Sequence, residues 1–230
     1  MDHVSNFARF QDAFLNVDVM HKYWPMIAQG IGVTLELAVL VVISGVLLGL
    51  VLACVRLYNI RIVNALIVTF ADLMRALPPL VLILIVYFGL PNLGITLSGF
   101  TVVWLILSLA LAAFAEEIFW AGLLSVPKGQ WEAARATGIG FLWTLIVIVL
   151  PQAFSLAIPP LTNRAIGITK STALGTVISV PEILNQASTA LSFSGNATPL
   201  MMGAVAYMMI FIPFVILTRW IERRFTWRNA

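Results

Sequence analysis

Asp72 and Arg75 stand three residues apart, Glu116 and Glu117 are adjacent, and Lys170 lies in a polar stretch running from Asn163 to Glu182; all fall within or beside long apolar runs. An ionisable group in a hydrocarbon layer is costly and marks function by default. Asp72 and Arg75 share one helix face just before Pro78-Pro79, and two readings stand: a local ion pair, or a gate or substrate contact. The prolines break the helix, and backbone groups freed at such a break can line a cavity. Glu116 and Glu117 cannot share a face, so one meets another helix or a partner and the other meets water. Asn163, Thr169, Lys170, Ser171 and Thr172 suit a carboxylate or ammonium group, with Glu182 nearby; the competing readings are a solvated loop with ordinary turn chemistry, or a lysine snorkelling to headgroups. No nucleophile, base and acid fall together, and no G-x-x-x-x-G-K-[ST] phosphate loop occurs. Cys54 is the single cysteine, and His3 and His21 are isolated. Catalytic and metal sites are therefore not expected.

The elements that must position these groups are read from composition. Of 230 residues, 61% are hydrophobic and 10% charged, whereas a soluble domain carries roughly 25% charged residues. The solvent for most of the chain is lipid. The net charge of +3 is spread singly, with no basic stripe for nucleic acid. Apolar runs long enough to cross a bilayer number five: Ile27 to Val55, Ile62 to Leu90 with its proline break, Phe100 to Leu124, Phe141 to Ile166 and Pro199 to Trp220. Arg56, Arg61, Lys128, Arg135, Arg219, Arg223, Arg224 and Arg228 fall on one side, against Arg9, Lys22, Arg164 and Lys170, the last two at membrane depth. The bias predicts the N-terminus outside and the C-terminus in the cytoplasm. The expected organisation is an extracytoplasmic segment over 1–26, a transmembrane domain over 27–224 and a cytoplasmic tail over 225–230. Trp104, Trp143, Trp220 and Trp227 suit interfacial belts, the pairs Met201-Met202 and Met208-Met209 suit packing, and Gly45 with Gly49 forms a small-xxx-small pair for close helix approach.

One stretch, KGQWEAARATGIG at 128–140, interrupts the apolar chain. Ser125 and Pro127 suit a helix entry and Gly138 a left-handed stop, giving a cytoplasmic helix within about 127–138, roughly eight residues and about 12 Å long. It reads as a surface loop, an interfacial helix, or a helix that docks in another protein's groove. The small face of Ala133, Ala134 and Ala136 favours docking, with Trp131 as anchor and Glu132 as a capping or docking acid.

Glu132-Ala133-Ala134, Gly138 and then Ile148-Val-Leu-Pro151 resemble the EAA signature of ABC importer permeases. Arg75-Ala-Leu-Pro78, Glu117 with Ala121-Gly122, Ser125-Val-Pro-Lys-Gly-Gln130, Pro160-Leu-Thr-Asn163 and Lys170-Ser-Thr-Ala-Leu174 with Ile178 and Glu182 resemble the branch that moves polar amino acids and opines. The resemblance covers roughly residues 30 to 225. It implies an all-α membrane protein of the MetI-like permease fold in the bacterial inner membrane. It also implies a coupling helix of Gln130, Trp131, Glu132, Ala133, Ala134, Arg135 and Gly138 that docks on a cytoplasmic ATPase dimer. ATP and Mg would sit on those partners, with no cofactor on this chain. An extracytoplasmic solute-binding protein and a second permease chain complete the implied assembly. Substrate-pathway candidates are Arg75, Asn163, Lys170, Ser171, Thr172 and Glu182; helix-break or gating candidates are Asp72, Pro78, Pro79 and Glu117, the acid at the family position, which leaves Glu116 as an extra acid. The family often carries asparagine at Ala110, arginine at Trp120, glutamine at Leu82 and an acid at Ser171. These departures leave two readings, that this chain is the non-binding half of a heterodimer or that its cargo is less polar than an ordinary amino acid; the first is favoured, so a sister chain is expected as partner ahead of a homodimer. An ion-driven secondary transporter or a channel-type subunit is the alternative; the first would need a self-contained ion site and often an internal repeat, and the second has no need of a docking helix.

Overall fold

The computed structural model describes residues 6–226, with side chains through Ile221; His3, Trp227 and Arg228, and the side chains of Arg223 and Arg224, lie outside the described residues. All regular structure among them is helical. A short α1 (Asn6–Phe14) precedes α2 (Val17–Arg56). Helix α2 begins ten residues before the expected span, because Asn16 caps it: its Oδ1 accepts from Val19 N at 3.1 Å, and Asp18 occupies the first turn, both favourable at a helix N-terminus. Residues 17–26, which precede the expected span, therefore continue its helix.

The proline break is present. Helix α3 (Arg61–Ala76) ends at Leu77, extended at φ −94° and ψ 134° as a residue before proline must be, and α4 (Pro79–Gly89) leaves with a bend of 101° between the two pieces. Among the described residues four helices are long and apolar enough to cross a membrane, and the bent pair makes a fifth span if it counts as one.

Helix α5 (Gly99–Ser125) is the centre of the bundle: 67% of its most apolar window is buried, against 22–28% for the other three. It can be surrounded because it is apolar on every face and small where neighbours press, at Ala110, Ala112, Ala113 and Ala115. The close approach expected of Gly45 and Gly49 is made to this helix. A Cβ at Gly49 would stand 2.5 Å from the Ala115 Cβ and 2.8 Å from the Ala112 carbonyl oxygen. Trp104, expected at an interface, is instead a strut between the two helices: its Nε1 donates to Ser44 Oγ at 3.2 Å, which lies 2.7 Å from Ser108 Oγ. Trp143 and Trp220 are exposed.

After α5 come the polar helix α6 (Lys128–Ala136), α7 (Phe141–Thr144) and α8 (Leu150–Lys170), the last two joined by a π-helical turn over Leu145–Val149. Pro151 has no N–H to offer Val147, and the widened turn accommodates that loss. Helix α8 outlasts the expected end at Ile166 and passes into a 3₁₀ stretch, Ser171–Ile178. Its polar residues do not break it, since the Thr169 and Thr172 hydroxyls donate to carbonyls of their own helix, at 3.0 and 2.8 Å. Helices α9 (Ile183–Ser194) and α10 (Thr198–Thr226) complete the chain. Buried residues of α2, α9 and α10 pack together at Ile27, Ile183 and Ala206, and those of α2, α5 and α8 at Ala53, Phe119 and Ala153. Outward faces carry Ile43, Leu47, Val51, Ile212 and Ile216 uncovered, an apolar surface suited to lipid.

Candidate functional site

Three groups of polar side chains stand out against this apolar frame. The first lies where α3 ends. Arg75 Nη2 donates to Asp72 Oδ1 at 2.6 Å, Arg75 Nη1 is ion-paired with Glu117 Oε2 on α5, and Arg75 Nε donates to the Ala71 carbonyl at 3.2 Å. The local pair anticipated for Asp72 and Arg75 is thus one half of a three-membered cluster that fastens the break to the central helix. Glu117 remains 58% exposed, so it faces open space as well as Arg75.

Beyond that cluster opens a cleft of about 620 Å³ whose walls include Arg75 from α3, Phe114 and Glu117 from α5, and Pro160, Asn163 and Arg164 from α8. Pro159 and Pro160 lie inside α8 and cannot donate to the carbonyls of Ser155 and Leu156, four residues back. The Arg164 guanidinium lies over the Phe114 ring, 3.5 Å from its centroid. Among the described residues no carboxylate lies within ion-pair distance of Arg164. Arg75, Asn163 and Glu117, three separate candidates in the sequence, converge here; Arg164 appears there only as a charge at membrane depth, and the cost of a charge at that depth is the signal that could have found it.

The second group lies farther along α8. Lys170 is exposed, with Nζ 5.9 Å from the centre of the Phe211 ring. Ser171 Oγ donates to the Gly167 carbonyl at 3.3 Å, and Thr172 is buried and engaged with its own helix. Glu182 is fully buried and saturated. Its Oε1 accepts from Thr176 Oγ1 (2.8 Å) and Asn185 N (2.7 Å), and its Oε2 from Leu184 N (2.9 Å) and Tyr207 OH (2.6 Å). It caps α9 and ties the 3₁₀ stretch to α10, so it does not share the open space of Lys170. No spacing rule points to Tyr207, which comes from a different helix.

The third group lies inside the bundle, with Glu116 buried and Arg56 largely so. Arg56 Nη1 meets Glu116 Oε1 at 2.6 Å, with side-chain exposures of 17% and 2%, and the guanidinium stacks on Trp120 at 4.2 Å. Glu116, the extra acid, therefore meets another helix while Glu117 meets the cleft. Trp120, where the resembling family often has arginine, receives a guanidinium from α2 instead. Ala110 and Leu82, two more of the departures, are buried in this chain's own core, so they concern packing here.

Apart from these stands α6. Pro127 precedes it without a side-chain cap, and Gly138 ends it at φ +85°, a conformation that favours glycine. Trp131 stacks on Phe141 with centroids 5.3 Å apart, and Ala134 is buried. Both pack the helix against its own bundle. Gln130 reaches Gln152 of α8 at 3.5 Å. Glu132, Ala133, Arg135 and Ala136 are left exposed.

Comparison with known proteins adds a lineage to this geometry. Residues 45–227 match the family model "Binding-protein-dependent transport system inner membrane component". The chain is 37% identical over 169 residues to the L-cystine transport system permease protein TcyB of Bacillus subtilis (strain 168), spanning 74% of this chain and 72% of that protein. It is 32% identical over 202 residues to the arginine transport system permease protein ArtQ of the same organism, spanning 87% and 92%. The crystal structure of an amino acid ABC transporter with histidines superposes with a TM-score of 0.80 at 31% identity, covering 89% of this chain and 96% of that one. An inward-facing MetNI methionine ABC transporter shares the fold, with a TM-score of 0.71 at 20% identity over 87% and 96%.

Proposed function

Because the chain belongs to the family of binding-protein-dependent transport system inner membrane components, multi-pass permeases served by a separate ATPase and a binding protein, we propose that it passes a polar amino acid or related zwitterion inward by alternating access. The cystine and arginine permeases to which it is similar support that cargo class. The N-terminus lies outside and α6 faces the cytoplasm as the coupling helix, with Gln130, Glu132, Ala133, Arg135 and Gly138 at the contact and Trp131 and Ala134 behind it. Two ATPase subunits hold ATP and Mg, and a sister permease chain completes the pathway, a homodimer being the other arrangement. Cargo passes the cleft between Arg75, Glu117 and Asn163 and the stretch around Lys170 and Ser171, while the Asp72–Arg75–Glu117 cluster at the Pro78-Pro79 break gates it. Thr172 and Glu182 support that path from behind.

The observation that carries this reading is the construction of α6: a rigid helix, stacked on its own bundle through Trp131 and Phe141, with the opposite face bare. A force applied to that face reaches α7 and α8 through packed side chains, and α8 forms one wall of the cleft. Such a lever biases two arrangements of the bundle, which is what alternating access requires. The test is cysteine crosslinking from Ala133→Cys in the assembled complex, paired with exchange of Glu132 and Gly138. A crosslink to the ATPase and loss of ATP-driven uptake in the exchanged variant are expected. Intact uptake in that variant, or reaction of Ala133→Cys from the binding-protein side, refutes the assignment.

A further inference from the structure

Helix α3 does not run alongside its neighbours. The bend of 101° at Pro78-Pro79 sets it across α4, and α4 follows α5, burying Leu82 and Ile83 among Val102, Val103, Ile106 and Leu107. The fastenings of α3 agree. Near its start Asn64 Nδ2 donates to the carbonyl of Arg56, whose guanidinium meets Glu116, and near its end Arg75 pairs with Glu117. Contacts about 16 Å apart along α3 thus trace to adjacent residues of α5. Glu117 stands about 12 Å from the end of α5 at Ser125. Since α5 is about 40 Å long and a hydrocarbon layer about 30 Å thick, α3 crosses the bundle within about 7 Å of the layer's inner face.

The two edges of its buried stripe, Ile67 and Ala71, fix which side of α3 faces which way. On one edge Met74 packs on the cluster in the outer half of α5. Steps of four back along that side reach Phe70, Leu66 and Ile62, with Leu73 beside them; Ile62, Leu66 and Leu73 are each more than half exposed. On the other edge Asn64 reaches the cytoplasmic end of α2, and that side carries Val68, Asp72 and Arg61, all exposed. The bare apolar flank therefore points toward the hydrocarbon and the charged flank toward the cytoplasm. Just before α3, Tyr58 packs on Phe141 at 5.5 Å, close in sequence to the exposed Trp143; aromatic side chains gather at a membrane–water interface.

We propose that α3 is an interfacial helix lying flat in the cytoplasmic leaflet, with Ile62, Leu66 and Leu73 among lipid acyl chains and Arg61 and Asp72 at the headgroups and water. This goes beyond the transport reading and takes from it only the orientation. The crossing is then left to α4 and the 3₁₀ turn Leu90–Leu93, about 25 Å together, close to the thickness of the hydrocarbon layer. Sidedness selects lipid as the occupant of the bare flank. A membrane surface demands one apolar and one charged flank at constant depth along the helix, whereas a groove on a sister chain makes no such demand. Arg75, at the end of α3, is thereby held at one depth against Glu117 of α5.

The test is nitroxide scanning of the permease–ATPase complex in phosphatidylcholine–phosphatidylglycerol vesicles, in a Cys54→Ala background. Labels go on Ile62→Cys, Leu66→Cys and Leu73→Cys on one flank and on Arg61→Cys and Val68→Cys on the other, exposed positions where substitution costs little. Collisions with oxygen, which partitions into lipid, and with a water-soluble nickel chelate report depth. Oxygen is expected to dominate at the first three positions, at one common depth of about 5–10 Å below the headgroups, and nickel at the other two. A depth that changes by about 16 Å between Ile62 and Leu73 marks a spanning helix and overturns the inference. Labels at Leu66 and Leu73 closed to both reagents, as under a sister chain, overturn it too, as does nickel dominating on both flanks. Orientation is read separately, from the reaction of Arg61→Cys with a membrane-impermeant maleimide. Reaction from the binding-protein side overturns the orientation, and the cytoplasmic placement with it, whatever the flank pattern; reaction from the ATPase side leaves the flank pattern to decide.

Discussion

Glu182 stands out in the sequence as a cargo contact, and the structure makes it a structural knot, so its replacement separates the two roles. Tyr207→Phe removes one charge-assisted hydrogen bond, the 2.6 Å contact to Oε2, worth about 1.5–3 kcal/mol. For a domain of this size about 2–4 °C of melting temperature accompanies each kcal/mol, so a fall of about 3–12 °C is expected. Glu182→Ala strips acceptors from Thr176 Oγ1, Tyr207 OH and the N–H groups of Leu184 and Asn185 together. It also empties a buried site. The expected cost is about 4–5 kcal/mol, at the upper end for a single substitution. Glu182→Gln falls between, because one acceptor oxygen becomes an NH₂ group facing two donors. The assay is thermal unfolding of the detergent-solubilised complex, with cargo binding measured below the transition. Loss of stability is expected to grow from Tyr207→Phe through Glu182→Gln to Glu182→Ala, with cargo affinity little changed in the Tyr207 variant. Wild-type melting in Glu182→Ala together with weakened cargo binding would refute the reasoning and return Glu182 to the pathway.

The remaining expectations concern packing, the internal ion pair and the lever. Gly49→Ala should cost about 1–3 kcal/mol through overpacking, and Ala115→Gly should recover only part of it, since the added Cβ still meets the Ala112 carbonyl oxygen at 2.8 Å; full rescue in a melting assay would disprove the backbone contact. Glu116→Ala leaves Arg56 largely buried without its carboxylate and should cost about 3–5 kcal/mol, whereas the double variant Glu116→Leu/Arg56→Met should melt near wild type; a double variant as unstable as Glu116→Ala contradicts a simple pair. Gly138→Ala forces a Cβ into the left-handed conformation at a cost of about 1–2 kcal/mol, and uptake per ATP hydrolysed should fall more than expression does; unchanged coupling would show that the stop of α6 is unimportant.

Membrane residence, the break at Pro78-Pro79 and the existence and limits of α6 are legible in the residues alone, because each depends on local chemistry. Apolar runs partition whatever their neighbours, a proline disfavours helix for the residue before it, and Gly138 admits a positive φ wherever it stands. The small-xxx-small pair is legible for the same reason, though not the identity of the helix it meets. Where the rule and the structure part, a long-range partner intervenes. The first helix starts early because Asn16 caps it, while the Asn16 backbone N–H bonds Thr198 Oγ1, 182 residues away. Which of two adjacent acids turns to Arg56 and which to Arg75 depends on where α2 and α3 stand around α5, and no spacing along α5 encodes it. The same holds for Glu182, whose polarity draws attention but whose four donors come from three separate elements, and for Trp131, whose ring stacks on Phe141. Local sequence determines which groups are costly in lipid; only the packing of distant helices decides which of those groups are satisfied inside the protein and which, like Arg164 on the Phe114 ring, line an open cleft.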